Sequence, residues 1–277
     1  MKKEMYSATN IYYMITTECN QRCTKCSHWK NHDYKSRLPT EKIVYALRNI
    51  PKAKEFCIVG GEPTLFSSEI YDIIQGLSET QIRTTIITNG VLTNKEFIDK
   101  ISKYNIHIVF SIDTLDKEFW KFVRGVNSFD VVFKNLEYAT AALNPAKISI
   151  QSVLSKETRN HIPDVAEYAR NKNIYHSIQD YISNGFNGTW SEIDYEQTSI
   201  SSNQQQCFSA NRNLSIMQNG DVYTCFQQSW IKDCQIPLGN LNTQKLFDIL
   251  SSNYASFISE KMKTCNLSCK VLKCNTK

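Results

Sequence analysis

From residue 11 to residue 182 the chain alternates short apolar runs with helix-spaced segments, and no other feature restricts its fold as much. The runs of strand length are Ile11–Thr16, Phe56–Val59, Thr84–Thr88, Ile106–Ile112, Ile148–Val153 and Tyr175–Tyr181. Between them, Ile43, Val44, Leu47 and Ile50 follow Thr40, which is placed to cap a helix. Ile70, Ile73, Ile74 and Leu77 mark a second helix, and further helical segments run over 94–104, 129–143 and 163–171. Strands that take turns with helices pair in parallel through right-handed crossovers. The expected fold is therefore α/β, a partial (β/α)6 TIM-like barrel that falls short of the eight units of a closed one.

Past residue 182 the chain changes character. Residues 183–206 are rich in Ser, Asn, Gln, Gly and acids and poor in aliphatics, as a connector would be. Beyond them, Leu214–Met217, Asn219-Gly220 and Val222–Cys225 read as a β-hairpin turned on Asn-Gly, and a helix over 244–263 precedes a cysteine-rich tail. The expected organisation is a barrel over 1–182, a linker over 183–206 and a small cysteine-rich domain, hairpin plus helix, over 207–277.

Charge excludes little. Lys+Arg 32 against Asp+Glu 27 leaves +5, spread through the chain, with Lys2-Lys3 the densest basic tract. That is no footprint for a nucleic acid, and the aromatics form no stacking platform for bases. No run approaches ~18 consecutive apolar residues, and MKKEMYSATN lacks the apolar stretch of a secretion signal. Neither membrane nor nucleic acid is expected as a partner, and the chain reads as cytoplasmic. Ten cysteines then stand out, because disulfides are rare in a reducing compartment and thiols there serve mainly as ligands or catalysts.

Directly after the first strand comes Cys19-Asn-Gln-Arg-Cys23-Thr-Lys-Cys26. Structural zinc takes four protein ligands and favours C-x-x-C pairs. Three thiolates on a cubane 4Fe-4S cluster instead leave one iron open to an outside ligand. With this spacing in this place, the chain resembles the radical S-adenosylmethionine (SAM) superfamily, whose signature is C-x-x-x-C-x-x-C after the first barrel strand. Relatives usually carry an aromatic residue before the last cysteine. Lys25 stands there, which leaves the ligands intact and removes a packing contact expected near the adenine.

The second strand ends in Gly60-Gly61-Glu62-Pro63, which matches the superfamily's G-G-E-P motif. The resemblance implies that this segment binds the amino group of SAM. Glycines permit close backbone approach, and a carboxylate accepts charge-assisted bonds from an ammonium. Thr88-Asn89-Gly90 closes the third strand and Ser111-Ile112-Asp113 the fourth, where polar residues of the superfamily meet the ribose and carboxylate of SAM. Arg124, in Val123-Arg124-Gly125, matches a common Arg-Gly pair and would clamp that carboxylate. Ser149 and Gln151 face the cavity by alternation. Cys19, Cys23 and Cys26 would thus hold a 4Fe-4S cluster that chelates SAM and cleaves it to a 5′-deoxyadenosyl radical, which takes a hydrogen atom from the substrate.

Six cysteines follow the linker: Cys207, Cys225, Cys234, Cys265, Cys269 and Cys274. The Cys207 to Gly220 to Cys225 spacing and the later Leu238-Gly239-Asn240-Leu241 resemble the SPASM/twitch domains, which add auxiliary iron-sulfur clusters to such barrels. One auxiliary 4Fe-4S cluster is expected on Cys207, Cys225, Cys265 and Cys269, with Cys274 and Cys234 as alternates; two incompletely ligated clusters or a zinc site stay open. Cys57, inside the second strand, reads as a buried free thiol. His28 and Trp29 trail the first cluster. His32, His107, His161 and His176 show no ligand spacing.

An auxiliary cluster beside a radical site can take a second electron. The resemblance therefore implies net oxidation of a small-molecule or sugar-like substrate, with an external one-electron donor of flavodoxin or ferredoxin type. Crosslinking, oxidation or epimerisation of a ribosomally made peptide is the alternative. The non-enzymatic alternative is an iron-sulfur or zinc protein that binds without SAM chemistry. Peptide-modifying relatives often carry a leader-binding domain of about eighty residues before the barrel. Eighteen residues precede Cys19, so a peptide would be recruited by the barrel, the linker or a partner protein.

Overall fold

Successive side chains of a strand point to opposite faces, and here the two faces meet different surroundings. Six strands, β1 (Asn10–Thr16), β2 (Glu55–Gly60), β3 (Arg83–Thr88), β4 (Ile106–Ser111), β5 (Ile148–Leu154) and β6 (Tyr175–Asp180), lie side by side in the order β6-β5-β4-β3-β2-β1, all parallel. One face presents Ile11, Phe56, Ile58, Ile86, Ile108, Phe110 and Ile150, all fully buried. They pack with Ile43 and Leu47 of α1 (Thr40–Arg48), Ile70 and Ile73 of α2 (Ser67–Gly76), Ile98 of α3 (Lys95–Ile101), Leu136 of α5 (Phe129–Ala142) and Val165 of α6 (Ile162–Asn171). Each such side chain contributes about 1.5–3 kcal/mol by leaving water. The other face turns inward, where Tyr12, Cys57, Thr85, Gln151, Ser177 and Gln179 line a cavity of about 430 Å³. This is the partial TIM-like barrel that the alternation predicts.

The computed structural model describes residues 8–26, 28–30, 37–50, 52–181, 190–191, 212–225 and 236–263. Among them no helix is long and apolar enough to cross a membrane.

Four local expectations need correction. Thr40 is the first residue of α1, and the capping position belongs to Pro39, whose extended backbone enters the helix without a side-chain bond. α3 stops at Ile101 rather than running to residue 104. α4 (Lys117–Arg124) is a helix that the apolar spacing did not reveal, because Phe119, Trp120, Phe122 and Val123 crowd two faces. Its end signals were legible: Asp116 caps it by accepting from the Phe119 amide at 2.9 Å, and Gly125 closes it in the left-handed conformation. Last, the segment 244–263 is two helices, α7 (Leu246–Leu250) and α8 (Asn253–Lys263), broken at Ser251-Ser252.

The hairpin on Asn219-Gly220 is formed by β7 (Asn213–Ile216) and β8 (Asp221–Tyr223), and β9 (Gly239–Asn240) pairs with β8. β7 runs parallel to β1, with Asn10 opposite Asn213 and Tyr13 opposite Ile216. The strands past the linker therefore continue the barrel sheet. Asn240 clasps the turn, its amide donating to the Asn219 carbonyl at 3.1 Å and to Asp221 at 2.8 Å. That contact gives the Leu-Gly-Asn-Leu segment its work.

Candidate active site

The loop between β1 and α1 is held on both flanks at the C-terminal ends of the strands. On one flank Gly61 donates to the Thr16 carbonyl at 2.8 Å and Glu62 donates to the Glu18 carbonyl at 2.7 Å. A Cβ on Gly61 would lie 2.0 Å from that Glu18 oxygen, so the approach of the two strand ends requires glycine. On the other flank the Arg22 amide donates to the Arg124 carbonyl at 2.9 Å and the Thr24 amide to the Val123 carbonyl at 3.0 Å, which ties the loop to the end of α4. Beneath it, fully buried Gln21 donates to Ser128 Oγ at 3.0 Å, and Trp120 Nε1 donates to the same oxygen at 3.1 Å. From far along the chain, Trp190 Nε1 donates to Thr24 Oγ1 at 2.8 Å.

These contacts bring Cys19, Cys23 and Cys26 to the wall of one cavity of about 180 Å³. Donors point at each sulfur. The Gln21 amide lies 3.4 Å from Cys19 Sγ, the His28 amide 3.4 Å from Cys26 Sγ, Asn89 Nδ2 3.8 Å from Cys19 Sγ and the Arg124 guanidinium 4.0 Å from Cys23 Sγ. Trp29 Nε1 donates to the Cys23 carbonyl at 3.3 Å. Burial pushes the Cys19 thiol up to about 12 and the Cys26 thiol upward as well, so metal loading releases protons. Among the described residues no three His, Cys, Asp or Glu side chains gather around a single metal ion. An iron-sulfur cubane is wider than a lone ion, so its thiolates stand further apart. N–H groups directed at sulfur are what cluster thiolates engage. The donor set fits a cluster.

The other strand-end residues are already engaged with one another. One oxygen of the fully buried Glu62 carboxylate accepts from the Thr64 amide at 3.0 Å, from Thr64 Oγ1, and from Thr88 Oγ1 at 2.7 Å; the other accepts from the Asn89 amide at 2.7 Å. Burial raises its pKa against those bonds. The carboxylate thus ties the end of β2 to the end of β3 while Glu62 also lines the thiol cavity. Pro63 is buried at the first position of the short turn that follows. Asn89 Nδ2 also reaches Asn20 Oδ1 at 2.7 Å. Gly60, Gly61, Asn89 and Ser111 line the thiol cavity.

Asp113 and Arg124 are likewise bonded to neighbouring groups. Arg124 is 2% exposed; its guanidinium donates to Asp113 at 2.8 Å and to the Ser111 carbonyl at 2.6 Å. Lys25 donates to the same Asp113 oxygen at 2.6 Å, and the other oxygen accepts from the Val153 amide at 2.8 Å. Burial would raise the pKa of Asp113, but the Lys25 and Arg124 charges outweigh it and hold the carboxyl low. Arg124 thus pairs with Asp113 and also lines the thiol cavity. Gln151 lines the inner cavity, whereas Ser149 on the same face is taken up by His107 Nε2 at 2.9 Å. Cys57 is buried but faces the inner cavity rather than the helix-covered core. Cys225 is buried just past β8. Cys207, Cys234, Cys265, Cys269 and Cys274 lie outside the described residues. Sequence reasoning passed over Gln21, Thr64, Ser128 and Trp190, since nothing local marks a residue whose partner is remote.

A parallel open barrel with three cysteines on its first loop, ringed by sulfur-directed donors and a Gly-Gly strand end, has the donor set of an iron-sulfur protein. The chain belongs to the radical SAM superfamily, whose family model matches residues 13–169. Residues 207–275 match SPASM, an iron-sulfur cluster-binding domain. It is a radical SAM enzyme, with a SAM-binding 4Fe-4S cluster, SAM and an auxiliary cluster as cofactors.

Curated relatives include a probable GTP 3′,8-cyclase of Pyrococcus horikoshii, 30% identical over 145 residues, which is 51% of this chain and 46% of that one. Another is a probable GTP 3′,8-cyclase of Methanococcus aeolicus, 33% identical over 180 residues, 61% of this chain and 58% of that one. The chain spans about half the length of the curated relatives it matches. Among solved structures, Streptococcus suis SuiB bound to S-adenosylmethionine is similar over 95% of this chain and 73% of its own, with TM-score 0.78 and 20% identity. The enzyme anSMEcpe with AdoMet and the Cp18Cys peptide is similar over 94% and 83%, with TM-score 0.69 and 17% identity. At such identities the likeness is one of fold.

Proposed function

We propose that Cys19, Cys23 and Cys26 ligate the SAM-binding cluster and that the backbone of Gly60 and Gly61, with Asn89 and Ser111, forms the SAM pocket. Glu62, Pro63, Asp113 and Arg124 are proposed to complete that pocket, a reading supported by Glu62 and Arg124 on the wall of the thiol cavity. When bound, cluster and SAM together supply the 5′-deoxyadenosyl radical. The protein orients the cofactor, excludes water and presents a substrate C–H bond. The reaction proposed is net oxidation of a small-molecule or sugar-like substrate held in the inner cavity. The observation that carries this placement is Ile87, whose side chain borders both the thiol cavity and the inner cavity, so the two spaces abut on β3. On the inner lining Gln151, Ser177 and Gln179 are suited to hydroxyl or amide groups, beside the apolar Ile87 and Ile178.

Cys207, Cys225, Cys265 and Cys269 are proposed as ligands of the auxiliary cluster, with Cys274 and Cys234 as alternates. Cys225 follows β8, one strand removed from the β7 that lies against β1, which supports a cluster beside the barrel. A flavodoxin or ferredoxin is the proposed electron donor. The cytoplasm is the proposed compartment.

A second reading, radical modification of a peptide, is favoured by SuiB bound to its precursor peptide SuiA, which is similar over 95% of this chain with TM-score 0.76. Anaerobic reconstitution is expected to give about eight irons, and dithionite with SAM to give 5′-deoxyadenosine. Replacing Cys19, Cys23 and Cys26 by Ala should abolish the nucleoside and leave roughly half the iron. Mass spectrometry of the product decides the reaction class. A product two hydrogens lighter at one 5′-deoxyadenosine per turnover supports oxidation, whereas a product of unchanged mass refutes it in favour of rearrangement.

A further inference from the structure

Lys25 is largely buried, which lowers its pKa, and the Asp113 carboxylate that opposes this by favouring its charged form is shared with a second cation. Its side chain is 14% exposed and sits 2.6 Å from Asp113. Arg124, with its side chain 3% exposed, sits 2.8 Å from the same carboxylate oxygen. Two cations thus share one carboxylate, which leaves this group of three one positive charge over; Glu62, the other acid on the cavity wall, is engaged by Thr64, Thr88 and Asn89. The Trp190 ring, 5.1 Å from Lys25 Nζ, is uncharged, and the Ser111 carbonyl on Arg124 carries only a dipole. A buried unanswered charge is costly, so the surplus calls for an anion close by. Cluster-bound thiolates on the cysteine loop would supply it: Arg124 lies 4.0 Å from Cys23 Sγ, and Lys25 stands between Cys23 and Cys26 on the wall of the same cavity.

We propose that Lys25 sets the reduction potential of the cluster proposed on Cys19, Cys23 and Cys26, by stabilising the negative charge that arrives with the reducing electron. This rests on the ligand reading given above. The step is a one-electron transfer, in which the cluster gains the electron that the external donor, or dithionite in the test, gives up. A cation nearby favours the more negative, reduced form, so the charge of Lys25 raises the potential. With a neutral side chain in its place, Asp113 and Arg124 would form a balanced pair and the surplus would vanish.

The test is potentiometric titration of the reconstituted full chain followed by electron paramagnetic resonance, reading the cluster whose signal changes when SAM is added. Lys25→Met keeps the length of the side chain without its charge. It should lower the equilibrium constant for reduction about tenfold or more, which is about 59 mV per tenfold for one electron. Lys25→Arg should hold the wild-type potential, and Asp113→Asn should move it the other way. A Lys25→Met potential equal to wild type at full iron content overturns the proposal. Equal loss of the cluster from Lys25→Met and Asp113→Asn also overturns it, since the three groups would then serve to build the loop. Absence of any SAM-responsive cluster in the wild-type chain would instead overturn the ligand reading itself.

Discussion

Gly125→Ala tests how the cysteine loop is held. Gly125 ends α4 at φ 66°, in the left-handed region, and an added Cβ would stand 2.4 Å from the Arg22 carbonyl oxygen and 2.8 Å from Arg22 Cβ. Ordinary contact begins near 3.4 Å, so the loop must retreat by about 1 Å. The conformation itself costs about 1–2 kcal/mol in a residue with a Cβ. Retreat also stretches the Arg22 and Thr24 amide bonds to α4, at 2.9 and 3.0 Å, each contributing about 0.5–1.5 kcal/mol. A total near 3 kcal/mol corresponds to a fall in melting temperature of roughly 6–12 °C. Because Arg22 and Thr24 flank Cys23, the shift should also deprive the first cluster of its geometry and cost roughly half the iron. The assay pairs a melting curve with iron analysis after anaerobic reconstitution. Gly76→Ala is the control: its Cβ meets only Val44 side-chain atoms, at 2.7 Å, with no positive φ, and it should stay within about 1 kcal/mol of wild type with full iron. A Gly125→Ala protein that melts with the wild type and holds full iron would refute the reasoning.

Three further outcomes follow from the same contacts. Glu62→Ala leaves the buried Thr64 and Asn89 amides without their acceptor, so it should cost about 3 kcal/mol and weaken SAM binding by equilibrium dialysis more than iron content. Trp190→Ala removes a ring that packs on Tyr181 and Val123 and bonds Thr24, with an expected loss of about 3–5 kcal/mol in denaturant unfolding. Burial lifts the Cys57 thiol from 9.0 to about 12, which cuts its thiolate fraction at pH 8 about a thousandfold. Maleimide labelling of Cys57 in the folded protein, read by peptide mass spectrometry, should be slower by at least that factor than after unfolding, and should quicken as pH rises. Labelling at the unfolded rate would contradict the burial.

The sequence carried what is local. Strand and helix periods show in residues a few positions apart, so the six parallel strands and most helices could be read directly. The spacing of Cys19, Cys23 and Cys26, the Gly60-Gly61 strand end and the Asn219-Gly220 turn are equally short-range, because loop and turn geometry depends on neighbours in the chain. α4 was overlooked because its aromatic residues cover more than one face, although Asp116 and Gly125 marked both ends.

Tertiary structure decided what depends on meeting at a distance. Glu62, Asp113 and Arg124 belong to the motif positions named from the sequence, but a carboxylate or guanidinium has no destination until the fold supplies its partners. The fold gave Glu62 to Thr88 and Asn89, and set Lys25 and Arg124 on one oxygen of Asp113. In the same way the hairpin was legible, whereas its place beside β1 was not, because pairing between strands some two hundred residues apart leaves no periodic trace. Short-range geometry named the three thiols; long-range packing determined the charge that surrounds them.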